Sequence, residues 1–117
     1  MKVDKSTRET LIENFEAWHR RLEERYKLFM EILKDAEEVE DLMSAKRDLL
    51  LWIVEDLPIV SDTCYFCLAF DCENCPYAKT HGECFLVLSD WQSIKDARSE
   101  LRDKLYNYYK GESYVIE

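Results

Sequence analysis

Glycine and proline are scarce in this chain, two of each among 117 residues. An all-β sandwich or barrel needs a tight turn every few residues, so their scarcity argues against one and for long helices with few connections. Basic charge is also short. Sixteen Lys and Arg stand against 25 Asp and Glu, a formal net charge of −9. Residues 1–57, 58–88 and 89–117 each carry more acid than base, so no stretch offers the electrostatic footprint of a phosphate-backbone binder. Histidine occurs twice, as His19 and His81, and neither sits in a nucleophile–base pattern. No glycine-rich phosphate loop is present. These gaps predict a protein that is not an enzyme, and they weigh against nucleic acid as a partner, leaving a nucleic-acid-binding zinc module as a further alternative. The longest apolar run, Leu49 to Val54, is far short of the ~20 residues of a membrane span. The polar start, Met1 to Lys5, has no signal-peptide core behind it. The expected location is therefore cytoplasmic, with no membrane partner.

What is present points to one helical domain. Hydrophobic residues make up 47% and aromatics 13%, enough to supply a core. Leu11, Phe15, Trp18, Leu22, Tyr26, Phe29, Leu33 and Ala36 recur every three or four residues, which predicts a long helix over about 6–34. Ser6 or Thr7 can cap its start. Its other face pairs Glu16 with Arg20 and Glu23 with Lys27, each with the acid four residues before the base. The stripe falters near residues 35–38, where Asp35 and Glu38 form a possible capping box. A second helix over about 38–57 follows, burying Leu49, Leu50, Ile53 and Leu57 and ending before Pro58. A third runs over about 89–110, with Ser89 and Gln92 as its opening signal and Gly111 as its C-terminal cap. Its stripe is Trp91, Ile94, Ala97, Leu101, Leu105 and Tyr108. The architecture expected is an all-α three-helix bundle interrupted by a Cys-rich loop, residues 61–88. Charged residues at 35%, mixed in sign, are of a kind common in thermophile proteins.

Every cysteine of the chain falls between Cys64 and Cys84. Cys64 and Cys67 form one Cys-x2-Cys pair and Cys72 and Cys75 another, with Cys84 following. Such a spacing lets two thiolates converge on one ion while the backbone between them curls to donate N–H groups to sulfur. Two pairs supply the four soft ligands of tetrahedral zinc, at Zn–S ~2.3 Å. In a reducing compartment clustered cysteines bind metal more often than they form disulfides, although intracellular proteins of hyperthermophiles keep a disulfide-stapled alternative open. The two pairs lie closer together than those of zinc ribbons, and Cys67-x4-Cys72-x2-Cys75 matches part of the plant-type ferredoxin spacing, so an iron–sulfur cluster is the competing cofactor. Four of Cys64, Cys67, Cys72, Cys75 and Cys84 are expected as metal ligands, with His81 a possible substitute. Tyr65, Phe66, Phe70, Tyr77 and Phe85 interleave with them and would seal the ion from water. Lys79 alone accompanies them, too little base for a nucleic-acid stacking platform.

The string Cys64-x2-Cys67, Cys72-x2-Cys75-Pro76, Gly82-x-Cys84 and Trp91 resembles a recurring pattern in short uncharacterised proteins of phages, plasmids and archaeal viruses. The likeness covers residues 64–91. It departs from that pattern before the tryptophan, where Leu88-Ser89-Asp90 stands in place of Gly-Thr-Pro. It implies a mobile-element origin and a role for the five cysteines as one unit, and carries no assigned activity. The functional expectation is a metal-stabilised interaction or regulatory protein, with an iron–sulfur protein of electron transfer or redox sensing as the alternative. Its partner, or a second copy, would meet its helix faces or the tyrosines Tyr106, Tyr108, Tyr109 and Tyr114, where tyrosine enrichment suits an interface.

Overall fold

The computed structural model describes residues 1–84 and 89–110. All regular structure in them is helical: α1 (Lys5–Asp35), α2 (Val39–Glu55), α3 (Tyr65–Ala69), α4 (Pro76–His81) and α5 (Asp90–Tyr106), with 3-10 turns at Ser61–Thr63 and Cys72–Asn74. The long helices match the periodicity, and the break at residues 35–38 falls where the stripe falters. Details at the ends differ. Asp4, not Ser6 or Thr7, caps α1. Its carboxylate accepts from the Thr7 N–H and the Thr7 hydroxyl, both at 2.9 Å, and those bonds hold it below its ordinary pKa. No capping box forms at α2, since Asp35 ends α1 and the cap residue Glu38 makes no side-chain bond. The third helix stops at Tyr106, not near 110, and Tyr109 turns into the left-handed region at φ 53°. Gly111, Tyr114 and Phe85 lie outside the described residues.

The chain divides into two compact units. One comprises Met1–His19 with Leu57–Ala97, the other Arg20–Asp56 with the residues from Arg98 onward. In the second unit α1 and α2 form an antiparallel helical hairpin. Arg21 pairs with Asp56 at 3.1 Å, the Arg25 guanidinium lies over the Trp52 ring at 5.5 Å, and Leu28 and Ile32 border the same hollow as Ala45. Ascending α1 thus meets descending α2. Tyr106 and Arg102 of α5 line a hollow with Leu51, Trp52 and Glu55, and Lys46 sits over the Tyr108 ring at 5.8 Å. In the first unit the start of α1 is tied to the segment after α2. The Asp4 N–H donates to the Tyr65 hydroxyl at 2.7 Å and the Asn14 amide to the Asp62 carbonyl at 2.7 Å.

Burial is shallow. Among the described residues only Ala45, Val54 and Cys75 are buried apolar side chains, Ser89 is the one buried polar residue, and no large side chain is fully enclosed. Leu22, Phe29, Leu33, Leu49 and Ile53 are half-buried along the expected stripes, whereas Phe15 and Tyr26 of the α1 stripe are exposed. Apolar burial is worth roughly 25 cal/mol per Å², so these elements draw less from their core than fully enclosed ones would. The segment expected as a loop is instead folded into short helices and 3-10 turns.

Candidate metal centre

Residues 57–84 are bent into turns by side chains that bond their own backbone. Thr63 Oγ1 donates to the Pro58 and Val60 carbonyls at 2.8 and 3.1 Å, closing the exit from α2. The next turn, Ser61–Thr63, ends at Cys64, whose extended backbone (φ −107°, ψ 119°) makes it the cap residue of α3, and Cys67 sits one turn into that helix. Asp71 Oδ1 accepts from the Asn74 N–H at 3.0 Å and from Asn74 Nδ2 at 2.8 Å. This is an Asx turn, the local bond that aspartate offers in place of a helix start. It sets Cys72 at the opening of the second 3-10 turn and Cys75 just past it. Cys75 in turn caps α4, with Pro76 at the first helical position, where its missing N–H costs nothing. Gly82 ends α4 at φ 82° and ψ 160°, a conformation that a Cβ would oppose. It turns the chain toward Cys84.

Ser89 closes the region. Its hydroxyl donates to the Cys84 carbonyl at 3.0 Å and accepts from the Gln92 N–H at 3.1 Å, with the residue 3% exposed. One buried hydroxyl therefore caps α5 and anchors the last cysteine. The cap was legible from Ser89 and Gln92, but not the bond to Cys84. Gln92 does not return a bond to the cap; it donates to Asp96 at 3.0 Å.

The five thiols occupy one neighbourhood. Cys67, Cys72, Cys75 and Cys84, with Phe66 and Phe70, border a hollow of about 350 Å³. Cys67 shares a hydrogen bond with Cys64. Burial first, then the charge of Cys64, that bond, and the charges of Cys84 and Cys75 push the Cys67 thiol up to about 11. Burial likewise raises Cys84, followed by the charges of Cys75, Cys64 and Cys72, with Lys95 opposing. Thiols that raise one another in this way stand close enough for a thiolate on one to disfavour a thiolate on the next. Cys64 and Cys75 act on both Cys67 and Cys84. Cys72, exposed at its turn, is felt at Cys84. All five cysteines are free thiols. Among the described residues, no three His, Cys, Asp or Glu side chains stand in the geometry of a metal-holding group.

His81 is taken up elsewhere. Its ring stacks on Tyr77 at 4.3 Å and 5°, and its Nδ1 lies 2.7 Å from Thr80 Oγ1. Tyr77 continues the aromatic layer to Phe66 at 6.4 Å and Phe66 to Tyr65 at 6.3 Å. The Tyr77 hydroxyl donates to Asp90 Oδ2 at 3.4 Å. Loss of solvent, then Asp90, then the Cys84 and Cys64 charges raise its phenol. Of the aromatic residues interleaved with the cysteines, Phe66 and Phe70 border their hollow. The Tyr77–His81 stack had a readable signal, two rings four apart on one helix.

No protein family, curated protein or solved structure matches the chain. No helix among the described residues is long and apolar enough to cross a membrane.

Proposed function

We propose that this chain is a small metal-stabilised interaction protein: a single domain whose long helices α1, α2 and α5 make a three-helix bundle, with a structural zinc ion held by Cys64, Cys67, Cys75 and Cys84 in the Cys-rich segment between α2 and α5. The observation that carries it is the gathering of thiols from separate turns around one hollow, walled by Phe66 and Phe70. Cys67, Cys75 and Cys84 border that hollow. Cys64 is preferred to Cys72 as the fourth ligand because it is bonded to Cys67 and less exposed, although Cys72 also borders the hollow. Four thiolates would give zinc the tetrahedral sulfur set of a structural site. Cys64, Cys67, Cys75 and Cys84 would hold the ion as thiolates, and its charge would offset their mutual repulsion. His81, held by Tyr77 and Thr80, is left out. The metal fixes the fold, and the helix faces and tyrosines Tyr106, Tyr108 and Tyr109 meet the partner.

The test is elemental analysis and the visible spectrum of protein purified under anaerobic, reducing conditions. One zinc per chain in a colourless sample is expected. Absorption near ~400 nm with bound iron would establish the iron–sulfur alternative, and protein that is folded without any stoichiometric metal would end the proposal. Serine at Cys64, Cys67, Cys75 or Cys84 should release the ion and lower the thermal midpoint sharply, because metal binding is folding free energy in such sites. Cys72→Ser should keep it. Metal loss in Cys72→Ser but not Cys64→Ser would exchange the two ligands and leave the zinc reading intact.

A further inference from the structure

The second unit holds an apolar groove that no other described residue fills. Between α1 and α2 of the hairpin lies a hollow of about 540 Å³, floored by Leu28, Ile32 and Ala45. Leu28 is 48% exposed and Ile32 41%, so each keeps half of an apolar side chain in water at the lip of the groove. The rim has one sign. Glu31 and Asp35 stand on the α1 side, Asp41 and Asp48 on the α2 side. Asp48 leans to its neighbour Arg47 at 3.4 Å, while the carboxylates of Glu31, Asp35 and Asp41 take part in no ion pair among the described residues. Two bases stand beside the groove and both are engaged: Arg47 with Asp48, and Arg25, which lines the adjoining hollow, over the Trp52 ring.

We infer that this groove docks a basic amphipathic helix of a partner protein, with apolar residues at i and i+4 seated on Leu28 and Ile32 and lysines or arginines reaching the carboxylates of Glu31, Asp35 and Asp41. Two antiparallel helices present a groove whose natural filling is a third helix laid along it. The sign of the rim selects the partner. A second copy of this chain would bring acid to acid across the same groove, on a molecule whose net charge is already −9, and like charges placed together reject a partner. An aliphatic helix with a basic face satisfies floor and rim together. The inference rests on the interaction-protein half of the proposed function and not on the metal.

The probe is a leucine–lysine peptide of about 18 residues with leucines at helical spacing, long enough to hold a helix once bound. Its controls are a shuffled peptide of the same composition and a leucine–glutamate counterpart. Calorimetry on the full chain should give one peptide per chain, with affinity falling as salt rises. Ile32→Asp should weaken binding about tenfold or more, as loss of an apolar anchor does, and Glu31→Lys with Asp41→Lys should weaken it and flatten the salt dependence. Ile12→Asp, at an exposed site in the other unit, should leave it unchanged. Because these side chains are exposed, circular dichroism should find every variant folded. Equal binding of the shuffled peptide, indifference to Ile32→Asp, or no heat at millimolar peptide would overturn the proposal. So would a dimer in sedimentation equilibrium that Ile32→Asp dissociates, which would give the groove to a second copy. Zinc measured on the same samples separates the readings: metal-free protein that still binds the peptide sinks the metal and spares the groove.

Discussion

Gly82 and Ser89 decide where Cys84 stands, and neither is a cysteine. At φ 82° and ψ 160° the Gly82 backbone lies where other residues are strained, so Gly82→Ala should cost roughly 1–3 kcal/mol in urea unfolding. Affinity for the proposed zinc should fall as well, because the turn at Gly82 leads to Cys84. A variant with unchanged zinc affinity would mean that Cys84 finds its place without the turn. Ser89→Ala removes a buried hydroxyl that caps α5 and holds the Cys84 carbonyl. A lost cap is worth about 1 kcal/mol, and the Cys84 carbonyl, left without its Ser89 donor, adds to it. Unfolding of the variant should show at least that loss, whereas Glu16→Ala on the exposed face of α1 should stay within about 0.5 kcal/mol of the parent. The cap at Ser89 was readable because serine before an apolar period is a strong local signal. That at Asp4 was missed because Ser6 and Thr7 are equally good caps by type, and only the bonds of the folded chain choose among them.

At the scale of elements, what was legible divides by length. α1, α2 and α5 span several turns each, so their 3.6-residue stripes accumulate and the scarcity of glycine and proline leaves few places to stop. α3 and α4, of five and six residues, are too short for any period to register. Their signals were the Asx turn at Asp71 and proline after Cys75, both masked by the pull of the cysteine spacing. The cysteines were readable as a cluster but not as a ligand set. Cys64-x2-Cys67 and Cys72-x2-Cys75 look alike in sequence, yet the first pair brackets the start of a helix and the second brackets a 3-10 turn. The same shortness yields a prediction. Isolated helices below ~12–15 residues are marginal in water, so α3 and α4 depend on their caps and on the proposed ion. Chelation should therefore abolish amide-exchange protection across residues 61–84 while leaving α2 protected, as measured by hydrogen-exchange mass spectrometry. Protection in α3 and α4 that survives complete metal removal would show that the turns hold themselves.

For the whole molecule the governing quantity is charge. Five ion pairs occur among the described residues, chiefly between exposed groups: Arg21–Asp56, Lys27–Glu23, Arg47–Asp48, Arg102–Asp103 and Lys104–Glu100. Exposed pairs are each worth about 0–1 kcal/mol and weaken with salt. Against them stands the self-repulsion of a chain with nine more acids than bases, which salt relieves as the Debye length shortens to ~10 Å at 0.1 M. The two effects have opposite signs, so a titration decides between them. If the pairs dominate, salt destabilises. With three unpaired carboxylates on one rim and every segment acidic, the repulsion is the larger, and the thermal midpoint of metal-loaded protein should rise as NaCl goes from about 20 to about 300 mM. Choline chloride should give the same rise, since screening depends on ionic strength and not on the cation, whereas a gain confined to strongly excluded salts such as sulfate would trace to apolar burial instead. The groove variant Glu31→Lys with Asp41→Lys, four charges nearer neutrality, should be more stable at low salt and gain less from added salt. A midpoint that falls with NaCl in the parent would mean that the few ion pairs outweigh the excess of acid, and the rim of the groove would lose its claim to be poised for a basic partner.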